Sequence, residues 1–160
     1  MRSGLGSEQR VRSFFDAYRA AFERYDAAAI ADLFAYPGHV TSDAGEVGLI
    51  PITSRDTWIA QLERLLAMYG APDVGSAQLL DLHVVELSPR LLQASGHWGL
   101  RDRTGAALYD FQATYTLVER DDALRISAIA HNEVPRYRAC VARLRALRAQ
   151  ESAGPERKGG

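Results

Sequence analysis

Two sets of side chains in this sequence have the residue types that acid/base chemistry needs. The first joins Asp43 to Tyr18, Tyr109 and Tyr115, with Trp58, Trp98, Phe111 and Asn132 on the same faces. Asp43 is the acid/base of this set, and the tyrosines are donors for a carbonyl or phenol oxygen. The second set is His97, Asp110, Gln112 and His131, which alternation places side by side across three strands. A His–Asp pair makes a general base, because the carboxylate fixes the tautomer and supports the imidazolium. Each set also has a plainer reading. The aromatics then form a core with satisfied hydroxyls, and Asp43 only shapes an Asp-Ala-Gly turn. The second set then becomes a polar outer sheet face that meets another subunit.

The elements that must position these residues follow from periodicity. Val11, Phe14, Phe15, Tyr18 and Phe22 recur at three- and four-residue spacing, which predicts a helix over 8–24 with Ser7 as its N-cap. Asp26 caps a short helix over 27–34, ended by Pro37-Gly38. Extended pieces at 39–42 and 46–52 flank Asp43-Ala44-Gly45. A third helix starts at Thr53 or Ser54 and stops at Gly70 and Pro72, with Trp58, Leu62, Leu65, Leu66 and Tyr69 as its stripe. The period then becomes alternating. Strands are expected at 76–87, 91–101, 106–120 and 123–133, in consecutive antiparallel hairpins. Pro135 ends the last strand, and a helix follows to residue 150 with Tyr137, Val141 and Leu144 as its apolar side.

Helices followed by a run of long antiparallel strands predict an α+β fold, with the N-terminal helices packed on one face of a strongly curved sheet. Such a sheet keeps a concave side that the helices do not fill, so a pocket is expected there. One domain spans 8–134, with a flexible start at 1–7, an appended helix at 135–150 and a disordered tail at 151–160.

The chain has 160 residues, 47% of them hydrophobic and 24% charged, which is an ordinary globular balance. A net charge of -1 gives no bulk attraction to nucleic acid or to an anionic membrane. That charge is unevenly divided. Residues 136–150 hold five arginines and no acid, so the rest of the chain carries an acidic excess. A solvated helix face is the reading adopted for that arginine row. Cys140 is the only cysteine, which excludes a disulfide framework. His39 and His83 read as isolated strand histidines. No apolar run reaches the length of a membrane span or signal segment, so a cytoplasmic protein is expected. The richness in arginine and alanine, with Lys158 the sole lysine, matches the coding bias of a GC-rich bacterium. No metal motif, Gly-rich phosphate loop, nucleophile elbow or dinucleotide fingerprint is present, so neither a metal nor a cofactor is implied.

The stretch from Ala17 through Tyr18, Phe22, Tyr25 and Asp26, followed by Ala29-Ile30-Ala31-Asp32-Leu33-Phe34-Ala35, resembles the opening of SnoaL-like and ketosteroid-isomerase-like proteins. These belong to the nuclear-transport-factor-two-like superfamily. Tyr115-Thr116-Leu117 and Leu124-Arg125-Ile126 resemble its closing hairpin. The resemblance implies a cone-shaped α+β barrel, often dimeric, with a pocket between helices and sheet. It includes enzymes and binding modules alike. In the isomerase comparison the oxyanion-stabilising tyrosine falls on Tyr18. The general-base aspartate falls on Ser42, with Asp43 one place later, and the proton-donating aspartate falls near Ala113. That set is incomplete, so steroid isomerisation is not the expected activity.

A two-residue turn at Asp121-Asp122 places Tyr109, Phe111, Ala113, Tyr115 and Leu117 on one face with Ile126, Ala128, Ala130 and Asn132. This face is the more apolar one and is expected to be concave. In the strand at 91–101, Trp98 and Leu100 point inward in one register and His97 in the other. The expected function is cofactor-free cyclase-, dehydratase- or isomerase-type chemistry on a small apolar molecule bearing oxygen. The alternative is a non-catalytic binding or assembly module. A homodimer through the outer sheet face accompanies either reading.

Overall fold

Helix α1 (Gly4–Glu23) turns its apolar face inward: Val11, Phe14, Phe15, Tyr18 and Ala21 are all buried. The computed structural model describes residues 4–154. Helix α1 begins ahead of Ser7, so Ser7 is not its N-cap. The Ser7 hydroxyl instead donates to Glu86 across the core edge. Asp26 does cap α2 (Ala27–Ala31), accepting from the Ala29 N–H at 3.0 Å. Ser54 likewise caps α3 (Arg55–Gly70), accepting from Thr57 N–H at 3.2 Å. Trp58, Leu62, Leu66 and Tyr69 form the buried stripe of α3.

Six strands make one sheet in the order β2-β1-β6-β5-β4-β3. They are β1 (Phe34–Asp43), β2 (Val47–Ile52), β3 (Val74–Ser88), β4 (Leu91–Asp102), β5 (Ala107–Arg120) and β6 (Ala123–His131). All neighbours are antiparallel except β1 and β6, which run parallel. The sheet is not closed, and the N-terminal helices cover its concave side: the α+β cone expected from the sequence. Asp121 and Asp122 both have positive φ, at 49° and 60°, and Arg120 pairs with Ala123. This is the two-residue turn predicted between β5 and β6.

Several boundaries differ from expectation, among them the end of α2, which stops at Ala31 rather than at 34. Strand β1 starts at Phe34, although Pro37-Gly38 reads as a terminator. It survives because the irregularity is absorbed between Phe34, opposite Ile126, and His39, opposite Ala128. At Gly38 a Cβ would lie 2.7 Å from the Ser127 carbonyl oxygen, so only glycine fits there. Strand β6 ends at His131, and α4 (Glu133–Ala153) begins before Pro135 rather than after it. Pro135 occupies the first turn of α4, where a missing N–H costs no helical bond. Helix α4 also continues through Ala153. Residues 1–3 and 155–160 of the expected flexible ends lie outside the described residues.

Helix α4 is held at three places. Arg136 donates to the Asp110 carboxylate at 2.9 Å, Arg143 to the Leu108 carbonyl at 2.9 Å, and the Tyr137 hydroxyl to the Met68 carbonyl at 2.7 Å. Two of the five arginines therefore pin the helix to β5. No helix among the described residues is long and apolar enough to cross a membrane.

Candidate functional site

The concave side encloses a cavity of about 110 Å³ between α1, α3 and the sheet. Its walls are mostly aromatic and aliphatic. The β4–β5 register pairs Trp98 with Phe111, Gly96 with Ala113 and Ala94 with Tyr115. Trp98 and Leu100 therefore point inward and His97 outward, which resolves the two registers left open by the sequence. Phe15 lies at the centre of the aromatic cluster, 4.8 Å from Tyr115 and 5.7 Å from Trp98 between ring centroids. The Trp98 indole N–H donates to the Tyr115 hydroxyl at 3.0 Å. Burial pushes the pKa of both Tyr18 and Tyr115 upward, so both remain neutral hydroxyls.

Two carboxylates line this cavity: Glu23, which pairs with Arg19 at 3.1 Å and accepts the Ala77 N–H at 3.1 Å, and Glu133. The Tyr69 hydroxyl donates to both Glu133 oxygens, at 2.7 and 2.8 Å, and the Tyr109 hydroxyl donates to Oε2 at 3.0 Å. Burial raises the Glu133 pKa above the usual carboxylate value, against the opposing pull of the two tyrosine hydrogen bonds. The tyrosines are pushed up in turn, by their own burial first and the neighbouring carboxylate second. Placement at the start of α4 also favours the anion, since helix N-termini carry partial positive charge. Burial outweighs the two tyrosine hydrogen bonds, so the net direction is upward.

His131 is the imidazole beside it. Its Nδ1 accepts the Glu133 backbone N–H at 3.1 Å, so a neutral ring carries its proton on Nε2. Burial lowers the His131 pKa, which favours that neutral ring. His131 and Ala113 line both the inner cavity and a polar cleft on the outside of the sheet. The cleft opens where β6 leaves the sheet between β1 and β5.

The sequence-predicted residues divide accordingly. Tyr18, Trp58, Trp98, Phe111 and Tyr115 line the cavity. Tyr109 reaches the Glu133 carboxylate. Asn132 was expected in the pocket, but it is exposed, and its Oδ1 accepts the Gln112 N–H at 2.8 Å. This bond continues the β5–β6 ladder for one more rung and anchors the turn into α4. Asp43 is exposed at the end of β1 and accepts from the Gly45 N–H at 3.0 Å, on the rim of the outer cleft. It does not reach the cavity. His97 and Asp110 do pair, at 2.6 Å, but on the outer face, where Asp110 also meets Arg136. These two bonds, that of His97 first, hold the Asp110 carboxyl below its usual value. Gln112 is exposed on the same side.

His131 was expected there too, and a β-bulge explains why it is not. Thr116 pairs with Ala128 but Leu117 pairs with Ile126, leaving Ser127 as an extra residue in β6. Beyond Ser127 the alternation inverts. Ile129 becomes buried, and His131, opposite Ala113, turns inward, while Ala130 becomes exposed. Glu133 was missed because it read as the end of a strand on the outer face. The signal that could have found it is a glutamate two residues before a proline, which is also how a helix begins. Among the described residues, no group of three or more His, Cys, Asp or Glu side chains is arranged to hold a metal ion.

A family model described as "NTF2-like protein (DUF6841)" matches residues 7–134. The chain belongs to this NTF2-like family. No curated protein matches it. Among solved structures it is similar to a "Putative calcium/calmodulin dependent protein kinase II association domain" from Xanthomonas campestris, at 20% identity. That match covers 76% of this chain and 84% of the other, with a TM-score of 0.57. An NTF2-like protein with a cystatin-like fold from Novosphingobium aromaticivorans matches at 14% identity, covering 80% and 82%, with a TM-score of 0.62. Rv3472, a protein of unknown function from Mycobacterium tuberculosis, matches at 15% identity, covering 88% and 97%, with a TM-score of 0.63. At these identities the likeness shows the fold alone.

Proposed function

We propose that the cavity binds a small, mainly apolar molecule bearing oxygen, and that Glu133 exchanges a proton with it without a cofactor. The observation that carries this reading is the Glu133 carboxylate, held by two tyrosine hydroxyls inside an aromatic cavity. A carboxyl group whose proton affinity is raised by burial is poised for general acid/base work closer to neutral pH than an exposed one. The buried tyrosines keep their protons and serve as donors to a ligand oxygen. The chemistry is of cyclase, dehydratase or isomerase type. Asp43 and the His97–Asp110 pair have no part in it, since neither lines the cavity.

The test is a thermal-shift screen of phenols, polyketides and terpenoids, followed by turnover assays on the compounds that bind. Glu133→Gln should abolish turnover and preserve binding. Equal turnover by the variant would remove Glu133 as the acid/base group. Binding with no turnover in either protein would favour the non-catalytic module.

The protein is proposed to work as a homodimer through the outer sheet face. Leu80, Val85 and Leu87 of β3 are exposed there at 49%, 43% and 60%. Sedimentation equilibrium should give twice the chain mass of 17.6 kDa, and a mass near 17.6 kDa would rule the dimer out.

A further inference from the structure

Trp58 is 8% exposed, and its ring lines the cavity. Its indole N–H is the one buried side-chain nitrogen or oxygen among the described residues that has no hydrogen-bond partner. Native interiors seldom leave such a donor unpaired, because it has lost its water and gained nothing. Trp98, the other tryptophan of the chain, lines the same cavity with its N–H bonded to Tyr115. Phe34 lies 5.2 Å from Trp58 between centroids, at an interplanar angle of 63°, and offers a π face but no oxygen.

Position along α3 adds a second constraint. Trp58 and Tyr69 are eleven residues apart, which is about three turns and about 16 Å of helix axis, so both lie on the same stripe. Leu62 and Leu65 line the cavity between them. Tyr69 holds Glu133 at its end of the stripe. Along α3 the cavity therefore has an unpaired donor toward one end, the Glu133 carboxylate toward the other and hydrocarbon between, while α1 adds the Arg19–Glu23 ion pair to the wall.

We infer that the Trp58 indole N–H is reserved for an oxygen of the bound molecule, so that the ligand is elongated, apolar in its middle, and bears a hydrogen-bond acceptor remote from the group that meets Glu133. This rests on the reading of the cavity as a ligand site. The N–H is shut off from water, so seating the acceptor involves a pivot of the indole toward the cavity its ring already lines.

The probes are two aryl ketones, acetylnaphthalene and acetylbiphenyl, each paired with the isostere in which an isopropenyl group replaces the acetyl. Affinities are measured for the full chain and for Trp58→Phe, which keeps an aromatic ring and removes the N–H. The wild-type protein should prefer each ketone over its isostere by about five- to tenfold, the worth of one buried hydrogen bond, and Trp58→Phe should erase that preference. A second readout needs no variant beyond one for assignment. The wild-type NMR spectrum has two indole N–H resonances, and the Trp58 signal should move downfield on saturation with ketone but not with isostere. Equal affinities within each pair, or a Trp58 resonance that stays at an upfield position typical of a proton over the Phe34 ring, would overturn the inference and leave the Glu133 reading standing. Failure of all four compounds to bind would overturn both the inference and the ligand-site reading beneath it.

Discussion

Tyr69→Phe is the perturbation that separates a charged Glu133 from a merely buried one. The substitution removes one hydroxyl and keeps the ring that packs edge-on against Phe22 at 6.2 Å. Tyr69 is 7% exposed, so water does not replace the lost donor. Its hydroxyl donates to both carboxylate oxygens, whereas Tyr109 donates to one at a longer 3.0 Å. A hydrogen bond to a charged group is worth about 1.5–3 kcal/mol, and one between neutral groups about 0.5–1.5 kcal/mol. The cost of the substitution should therefore depend on pH. Glu133 has a folded-state pKa above its unfolded value, so its contribution to stability is fully present below the unfolded value and is lost as pH rises through the folded one. Removing Tyr69 weakens the anion further, raises that folded pKa again and enlarges the loss. Urea unfolding at pH 4 and at pH 8 should show a gap between wild type and variant that roughly doubles from about 1 kcal/mol to about 2 kcal/mol, with unchanged m-values. The same gap at both pH values would mean that Glu133 keeps one charge state in the folded protein across that range, and the acid/base reading would fail with it.

Two further substitutions test the framework around the site. Gly38→Ala should destabilise by about 1–3 kcal/mol in thermal or urea unfolding, because its Cβ meets the Ser127 carbonyl at 2.7 Å and must displace the bulge that turns His131 inward. A stability equal to wild type would show that the β1–β6 junction is soft. Asp43→Asn should leave both stability and any turnover within error of wild type, since an asparagine oxygen also accepts the Gly45 N–H and the residue lies outside the cavity. A loss of turnover in that variant would return Asp43 to the reaction.

Much of the fold was legible in the sequence because burial imposes a period. The α1 stripe at Val11, Phe14, Phe15 and Tyr18 and the α3 stripe at Trp58, Leu62 and Tyr69 read directly as helical faces that enclose a cavity. Alternation along β4 left Trp98 and Leu100 or His97 as the inward set, and only the pairing with β5 decided for Trp98 and Leu100. The site was harder, because a single inserted residue inverts a strand. Nothing in Ile126-Ser127-Ala128 marks Ser127 as a bulge; it sits where Gly38, from a strand some ninety positions earlier, closely approaches its carbonyl. That inversion put His131 on the wrong side and Ala128, Ala130 and Asn132 on the concave face. Glu133 was hidden for a different reason. A proline two residues later reads equally as the end of a strand or the first turn of a helix, and tertiary contacts decide between them. Here Arg136 and Tyr137 fasten the new helix to β5 and α3.

Carboxyl NMR titration of Glu133 in the ligand-free protein, with Glu133→Gln to assign the signal, tests the central claim most directly. Burial pulls the Glu133 proton affinity up against two tyrosine donors that pull it down, and the net direction is upward. The carboxyl signal should titrate above the ordinary glutamate value of 4.5. A midpoint at or below 4.5 would show that the donors dominate, leaving a permanently ionised structural anchor in place of a group that gives and takes a proton.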